Sequence, residues 1–324
     1  MELRHLQALA AVAEQGSFSA AAEMLGTVQS NVSAHVARLE RELKTTLVDR
    51  SASRLNPEGE IVLARANRVI DEVSALGADL AALNAEVTGT VRAGMIGTTA
   101  RWLVPVLLDE IGARFPRLRI VVAEGTSLAL QPRVALGRLD AAVLTLPVPG
   151  RDLVTEPLFD EDLVLVVPVE GDPLPGRSEV SLAELSSFRL LLPAPGTPFR
   201  AEIDAAIKPA GIKLEPRAEF DGVRLIASLT FEGYGPAVLP ATAVPPHLRS
   251  RFRPVAIRGL PPRRVHLALR ARGLPAAPTR AFLATLRELV RSGDLPEGLH
   301  RAPGHANGSE GAEGAPRVVG MPMG

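Results

Sequence analysis

The stretch of sequence that decides the fold runs from residue 16 to residue 43 and reads GSFSAAAEMLGTVQSNVSAHVARLEREL. Gly16 is expected to end a first helix, because glycine readily adopts the left-handed conformation that closes helices. Ser19 is placed to cap a second helix, which Gly26 closes, and Thr27 to cap a third. The second and third helices are predicted over residues 20–25 and 28–43. Two short helices joined by a turn that contains glycine are typical of a helix-turn-helix.

The third helix is predicted to be amphipathic. Its apolar residues recur on one stripe at ~100° per residue; they are Val28, Val32, Val36, Leu39 and Leu43. The opposite face begins with small polar residues that can approach base edges and ends with arginines that can reach phosphates. The residues predicted to contact DNA on and beside this helix are Thr27, Gln29, Ser30, Asn31, Ser33, Ala34, His35 and Arg38.

A hairpin-like stretch over residues 45–55 is predicted to follow as a wing, with Arg50 and Arg54 beside the DNA backbone or the minor groove. Charge alone does not decide this interpretation, because residues 1–57 carry six bases and six acids. The alternative is a structural three-helix subdomain with a solvated face.

Six segments in this region resemble the LysR-type transcriptional regulators. They are 3–6 (LRHL), 16–22 (GSFSAAA), 29–33 (QSNVS), 39–43 (LEREL), 47–50 (LVDR) and 55–59 (LNPEG). This chain has Ser30 and Asn31 where the family commonly has Pro and Ala, and Val48 where it has Phe. Ala34 and His35 replace a longer polar pair. The resemblance implies a regulator that binds double-stranded DNA through a winged helix-turn-helix, but the departures leave its operator sequence open.

Residues 58–88 are predicted to form one long helix. Its apolar residues recur at steps of four and three, which is an a/d heptad seam. They are Val62, Ala66, Val69, Val73, Leu76, Leu80, Leu83 and Val87, with a weak point at Gly77. Such a seam needs a partner helix, although packing against the chain's own domain is the alternative. The resemblance implies an antiparallel dimer of linker helices, formed by Val62, Val69, Val73, Leu76, Leu80 and Leu83; a dimer is not separated from a tetramer.

Residues 89–296 alternate short β-branched runs with helical stretches, which predicts an α/β architecture. The predicted strands cover residues 90–97, 118–124, 141–146, 163–169, 190–193, 216–220 and 263–270, and the predicted helices 100–114, 127–139, a segment from 197, 223–232 and 278–291. They divide into lobe I (about 89–166 and 267–296) and lobe II (about 167–266). The resemblance implies a two-lobed effector-binding domain similar to type 2 periplasmic binding proteins.

A small molecule is expected to bind between the lobes, where strands end and helix N-termini present free N–H groups. The candidate effector-binding residues are Gly97, Thr98, Thr99, Thr126, Gly196, Thr197 and Asp221. Simple helix capping is the alternative for the threonines. Trp102 lines this cleft or, more simply, packs in a core. The resemblance implies that the effector is a small metabolite, often an anion, whose identity is open.

Composition excludes several classes of protein. The 324 residues predict two or three domains and include no cysteine, which excludes disulfides, thiolate catalysis and a thiol redox switch. No signal peptide is recognised, and no apolar run approaches the ~18 residues of a membrane helix. A cytoplasmic protein without membrane contact is therefore expected. Residues 297–324 are rich in Pro, Gly and Ala and are predicted to be a disordered tail.

The sequence therefore predicts a transcription regulator, not an enzyme, with no metal and no cofactor other than its effector. The histidines are scattered, and no nucleophile, phosphate-loop or dinucleotide motif is present. RNA polymerase is a further candidate partner. The alternatives are a solute receptor or enzyme of the binding-protein type with an accessory helical head, and a structural dimerisation protein without a ligand. The target genes, and the choice between activation and repression, are not predicted.

Overall fold

A computed structural model describes residues 1–49, 54–83, 87–145, 152–271 and 273–302. Within these ranges, an N-terminal helical head (residues 1–55) is joined by one long helix to a domain of two α/β lobes. The wing residue Arg50, residue 146 of the third predicted strand and residues 303–324 of the predicted tail lie outside the described residues. No helix within the described part of the chain has both the length and the apolar character to cross a membrane.

The head consists of three helices and a two-stranded wing. Their bounds are α1 Leu3–Gln15, α2 Phe18–Met24, α3 Gln29–Leu43, β1 Val48–Asp49 and β2 Arg54–Leu55. The helices pack around a buried core, to which α3 contributes Val32, Val36 and Leu39. Val28 and Leu43, predicted on the same stripe, are 59% and 40% exposed, because they lie at the two ends of the helix.

The cap of α2 differs from the predicted one. Ser17, and not Ser19, is the N-cap, and its hydroxyl accepts a hydrogen bond from the backbone N of Ala20 at 3.5 Å. Two hydroxyls two residues apart look equivalent in a sequence. The helix begins earlier than predicted, so that Phe18 lies within it and is buried in the core.

The start of α3 is also shifted, by one residue. Val28 is the N-cap and makes no side-chain hydrogen bond, so Thr27 does not cap this helix as predicted. The Thr27 hydroxyl instead accepts a hydrogen bond from Asn31 Nδ2 at 3.0 Å. The Thr27 hydroxyl therefore holds the Asn31 side chain at the front of α3 and does not cap the helix backbone.

The linker helix α4, Pro57–Leu83, packs on the head and on lobe I. Leu63 and Ala66 are buried, and Ala66 belongs to the core of the head. Further along the helix, Asp71 lies 3.2 Å from Arg270 Nη2. Asp79 Oδ1 accepts a hydrogen bond from the backbone N of Ala277 at 2.9 Å. Carboxylates on one side of α4 thus fix its position on the effector domain.

Lobe I, among the described residues, is built on a six-stranded sheet of order β14-β6-β13-β5-β3-β4. Its elements are β3 Gly89–Met95, α5 Gly97–Arg114, β4 Leu118–Glu124, α6 Ser127–Ala135, β5 Ala141–Thr145, β6 Leu153–Glu161, β13 Arg263–Arg270, α9 Ala277–Ser292 and β14 Leu299–Arg301. β3 pairs in parallel with β4 and β5, which confirms the predicted βαβαβ unit. The strand predicted over residues 263–270 is also confirmed.

Lobe II is built on a second sheet, of order β10-β9-β11-β7-β12-β8. Its elements are β7 Leu163–Pro168, β8 Glu179–Ser181, β9 Arg189–Pro193, α7 Pro198–Ile207, β10 Glu215–Phe220, α8 Val223–Phe231, β11 Ala237–Pro240 and β12 Phe252–Arg258. The chain passes between the lobes at Asp162 and again between β12 and β13. The lobe boundaries therefore differ from those predicted: β7 belongs wholly to lobe II and β13 wholly to lobe I.

The predicted disorder of residues 297–324 is wrong for its first six residues. β14 pairs antiparallel with β6, and Leu299 and Ala302 are buried. His300 Nε2 lies 2.9 Å from Asp162 Oδ2, and the backbone N of Asp162 donates to the carbonyl oxygen of Gly298 at 2.8 Å. Pairing with β6 orders a segment whose composition alone suggests disorder.

Candidate DNA-binding surface and effector cleft

The front of α3 is open to solvent. Gln29, Ser30, Asn31 and Ala34 are exposed, as is Arg38 one turn further on, while Thr27, Ser33 and His35 are half-buried. The exposed side chains are small or polar, and the valines of the same helix lie inside the head. This surface can therefore approach a nucleic-acid groove closely without disturbing the core.

Two of the residues predicted to contact DNA make contacts with other side chains of the head. The ring of His35 packs 5.5 Å from the ring of His5, which is buried. Arg38 Nε lies 3.4 Å from Glu42 Oε1 in an exposed pair. A phosphate can replace Glu42 as the partner of Arg38, because exposed ion pairs contribute little to stability. His35 is held at the flank of the helix by its packing.

The wing is anchored to α3 and α4 by polar groups. Glu40 Oε1 accepts backbone hydrogen bonds from Leu47 at 2.8 Å and Val48 at 3.3 Å. The side chain of Asn56 donates to the carbonyl oxygen of Thr46 at 2.9 Å and accepts from the backbone N of Gly59 at 2.8 Å. These bonds fix the strand pair β1–β2, on which Arg54 is exposed; its contact with DNA stays a prediction.

An exposed apolar stripe follows α4 beyond the head. Val69, Val73, Leu76 and Leu80 are 45%, 51%, 65% and 57% exposed, and we call these four residues the α4 stripe. Val62, predicted in the same seam, packs partly against the chain's own head core. Packing against the chain's own domain therefore holds for the first part of the seam, and the partner helix stays a prediction for the α4 stripe. Leu83 ends the helix, and its side chain lies outside the described part of the structure.

The predicted effector residues lie on both lobes. Thr126 and Thr197 cap α6 and α7 by accepting from Ala129 N and Arg200 N, each at 3.3 Å. Gly196 precedes this second cap with a φ of +85°, and Asp221 is exposed after β10. For the two capping threonines, the simple structural role is the one that their contacts show.

Gly97, Thr98 and Thr99 form the first turn of α5, and Ile96 is its N-cap. The prediction that Thr98 or Thr99 caps this helix is therefore wrong. Thr98 Oγ1 instead accepts a hydrogen bond from Arg263 Nη2 at 2.7 Å. Thr99 is fully buried, and its hydroxyl oxygen has no hydrogen-bond partner. The indole N of Trp102 is likewise buried without a partner, and its ring packs on Phe159 in the lobe I core.

A buried polar group at the contact between the two lobes was not predicted from the sequence. Arg263 on β13 forms an ion pair with Glu161 on β6, 2.6 Å apart, and both side chains are almost fully buried. Glu161 Oε1 also accepts from the hydroxyl of Thr242 in lobe II at 2.5 Å. The sequence carries one signal for this group: charged residues interrupt the apolar strands β6 and β13 next to the points where the chain crosses between the lobes.

Glu202 on α7 of lobe II completes this group. Burial raises the pKa of its carboxyl group to about 7, against the opposing effect of Arg263 and of the hydroxyl of Thr145 in lobe I. Its Oε2 is buried without a hydrogen-bond partner. Thr145 is itself held by Ser127, whose Oγ accepts from the backbone N of Thr145 at 3.0 Å. A neutral carboxyl group can donate as well as accept, which suits it to a polar ligand.

A separate cavity of about 880 Å³ lies between α1, α4 and lobe I, away from the interlobe cleft. Its lining carries charges of both signs, including Asp71, Asp140, Arg92 and Arg270. Burial raises the pKa values of Asp71 and Asp140, against the opposing effect of neighbouring arginines. This mixture of charges selects no class of ligand.

Two known protein families match most of the chain. Residues 3–60 match the family described as "Bacterial regulatory helix-turn-helix protein, lysR family", and residues 84–291 match "LysR substrate binding domain". The chain is a LysR-type transcriptional regulator. As such it is a DNA-binding transcription regulator with an effector-binding domain, and not the solute receptor or enzyme of the alternative hypothesis.

The regulator is similar to a probable activator of hydrogen peroxide-inducible genes and to OxyR proteins. It is 36% identical to a "Probable hydrogen peroxide-inducible genes activator" of Streptomyces viridosporus, over 91% of this chain and 95% of that one. It is 27% identical to the "DNA-binding transcriptional dual regulator OxyR" of Escherichia coli, over 90% and 95% of the two chains. Among solved structures, a full-length variant of OxyR from Pseudomonas aeruginosa superposes with a TM-score of 0.74 at 25% identity, covering 93% of this chain and 98% of that one.

Proposed function

We propose that this regulator recognises its operator through the exposed front of α3, with Arg54 of the wing beside the DNA backbone or the minor groove. The observation that carries the proposal is that Gln29, Ser30 and Asn31 are exposed while Val32 and Val36 are buried. Gln29 is the longest of the polar residues at this end, so it is assigned the base-reading role. The remaining predicted contacts position the helix on phosphates.

Gel-shift titrations of two substitutions test this assignment. Gln29→Ala is expected to relax base preference at one operator position by about 1–3 kcal/mol, since it removes a side chain that can pair with a base edge. Arg54→Ala is expected to weaken binding to all duplexes alike and to reduce the salt slope by about one unit. Lys213→Ala, an exposed cation in lobe II, is the control. A uniform loss of binding by Gln29→Ala across operator variants would remove its reading role.

The functional unit is proposed to be a homodimer, or a tetramer made of two dimers, joined along the α4 stripe. Two heads held by paired α4 helices bind two half-sites at a fixed spacing.

The protein is proposed to act in the cytoplasm, with RNA polymerase as a candidate partner and with no resident cofactor besides its effector. The third hypothesis, a dimerisation protein without a ligand, predicts that no metabolite changes the melting temperature.

The effector is proposed to bind between the lobes, where Thr98, Thr145 and Glu202 meet the Glu161–Arg263 pair. Closure of the lobes on a ligand shifts the protein toward the state that the ligand binds better. The relative in Streptomyces viridosporus is named as a probable activator of hydrogen peroxide-inducible genes. This chain contains no cysteine, so we propose that its response to any signal proceeds without thiol oxidation. Peroxide treatment is then expected to leave operator binding unchanged.

A further inference from the structure

The Glu161 carboxylate bridges the two lobes through four donors. Its Oε2 accepts hydrogen bonds from Arg263 Nε at 2.9 Å and Nη2 at 2.6 Å, both within lobe I. Its Oε1 accepts from the backbone N of Thr242 at 3.0 Å and from the hydroxyl of the same residue at 2.5 Å, both in lobe II. One anionic group thus satisfies two donors from each lobe, at the point where the chain crosses between them.

The buried guanidinium of Arg263 needs an anionic partner at the position of the Glu161 carboxylate. The side chain of Arg263 is only 5% exposed and that of Glu161 is 0% exposed. Besides Glu161, Arg263 contacts the neutral hydroxyl of Thr98, and its guanidinium carbon lies 6.0 Å from the centre of the Phe199 ring. A buried guanidinium without a counter-ion is strongly destabilised. Any free anion in this place would meet the same four donors.

Two further arginines of the described structure lie at the interlobe contact, and both are exposed. Arg224 of lobe II pairs with Glu124 of lobe I. Arg101 of lobe I donates to the carbonyl oxygen of Ala243 in lobe II at 3.2 Å. The buried guanidinium of Arg263 is already neutralised by Glu161, and a second anion beside it would lie close to the carboxyl groups of both Glu161 and Glu202.

We propose that the Glu161 carboxylate occupies the place of an anionic ligand between the lobes, so that the effector of this regulator is an uncharged molecule that hydrogen-bonds to Glu202. The first part rests on the contacts of Glu161 alone. The second part rests on the proposed function, in which the effector binds in this cleft. The lobes are then held together at their base without a ligand, and the effector acts on the remaining contacts.

Chemical rescue by acetate tests the first part on the full chain. Glu161→Ala is expected to lower the melting temperature, and sodium acetate at about 100 mM is expected to raise it again by about 3 °C or more, compared with sodium chloride at equal ionic strength. The wild-type protein should show no such difference between the two salts. Glu156→Ala is the matched control, because Glu156 lies on the same strand and pairs with Arg287 at the surface; acetate should not rescue it.

Glu161→Gln keeps the shape of the side chain and covers the case in which the alanine variant folds poorly. It is expected to be less stable than the wild type, because an amide does not neutralise Arg263. An alanine variant that folds only in acetate supports the proposal. A glutamine variant as stable as the wild type, together with no acetate effect on either variant, overturns it.

The second part is tested on the wild-type protein with benzoate, succinate and inorganic phosphate as probes. None is expected to raise its melting temperature relative to chloride. The opposite outcome is that one of these anions raises the melting temperature, with Glu202→Gln changing that rise and the exposed control Glu215→Gln leaving it unchanged. That result overturns the proposal of an uncharged effector. Operator binding by the same preparations separates the two ideas: failed rescue with intact operator binding sinks this inference and leaves the proposed function standing.

Discussion

Replacing two leucines of the α4 stripe by alanine is expected to break the proposed dimer. Leu76 and Leu80 are 65% and 57% exposed in the single chain. Complete burial of a leucine contributes about 1.5–3 kcal/mol, so covering the exposed part of each contributes about 1–2 kcal/mol. In a two-fold dimer each side chain occurs twice. The four leucines then contribute about 4–8 kcal/mol. Alanine keeps part of this contact, so the double substitution Leu76→Ala/Leu80→Ala removes about 4 kcal/mol of association free energy.

This loss corresponds to a dissociation constant raised about 1,000-fold. Sedimentation equilibrium over a wide range of protein concentration measures it directly. The fold of the chain is expected to survive, because alanine is the best helix former and neither leucine is in a core. Binding to an operator with two half-sites should fall in parallel, while binding to one half-site should not change.

Ile61→Ala is the matched control for this experiment. Ile61 lies on the same helix and is 67% exposed, but it precedes Val62 by one residue and so lies ~100° around the helix from the seam. It should leave the dissociation constant within a few-fold of the wild-type value. A change of less than tenfold in the double variant, or an equal change in Ile61→Ala, would refute the pairing of α4 helices along the stripe.

Three further predictions concern the wing and the cleft. Asn56→Ala is expected to lower the free energy of unfolding of the head by about 1–2 kcal/mol in denaturant titrations, because it removes the cap on Gly59 N and the bond to Thr46; a loss confined to a few tenths would contradict that role. Gly59→Ala is expected to destabilise the protein and weaken DNA binding, since its new Cβ would lie 2.1 Å from the carbonyl oxygen of Leu47. Gly77→Ala in the same helix, where a Cβ meets nothing within 4 Å, should instead stabilise it by about 0.5–1 kcal/mol. The raised pKa of Glu202, about 7 against an ordinary 4.5, means that the folded protein holds a proton which the unfolded chain releases, so stability should fall as pH rises from about 4.5 to 7. Glu202→Gln should flatten this part of a melting-temperature profile against pH, and an unchanged slope would show that another group titrates.

The helical head was the most predictable part of the molecule. The spacing of Val32, Val36 and Leu39 identifies the buried face of α3 without any knowledge of the fold, because a helix is defined by local contacts. The errors there concern single residues, as with Ser17 and Ser19. Pattern reasoning fixes neither the first turn of a helix nor its cap, since tertiary packing of Phe18 decides them.

The interlobe cleft was the least predictable part. β6 and β13 pair along most of their length although about 100 residues separate them, and no local pattern records such a pairing. Thr126 and Thr197 were predicted as effector-binding residues because hydroxyl residues at helix starts can be recognised in a sequence. Glu161 and Glu202 did not, because a charged residue in a chain of ordinary composition looks like a surface residue until burial is known.

The short strand β14 has a practical consequence for anyone who isolates the effector domain. It covers the outer edge of the lobe I sheet, and β6 would otherwise present unpaired N–H and C=O groups that invite pairing with other molecules. A fragment that stops at residue 296, where the last helix and its loop are complete, would expose that edge. One that continues to residue 302 keeps it covered, so the choice of six residues separates a well-behaved domain from one prone to aggregate.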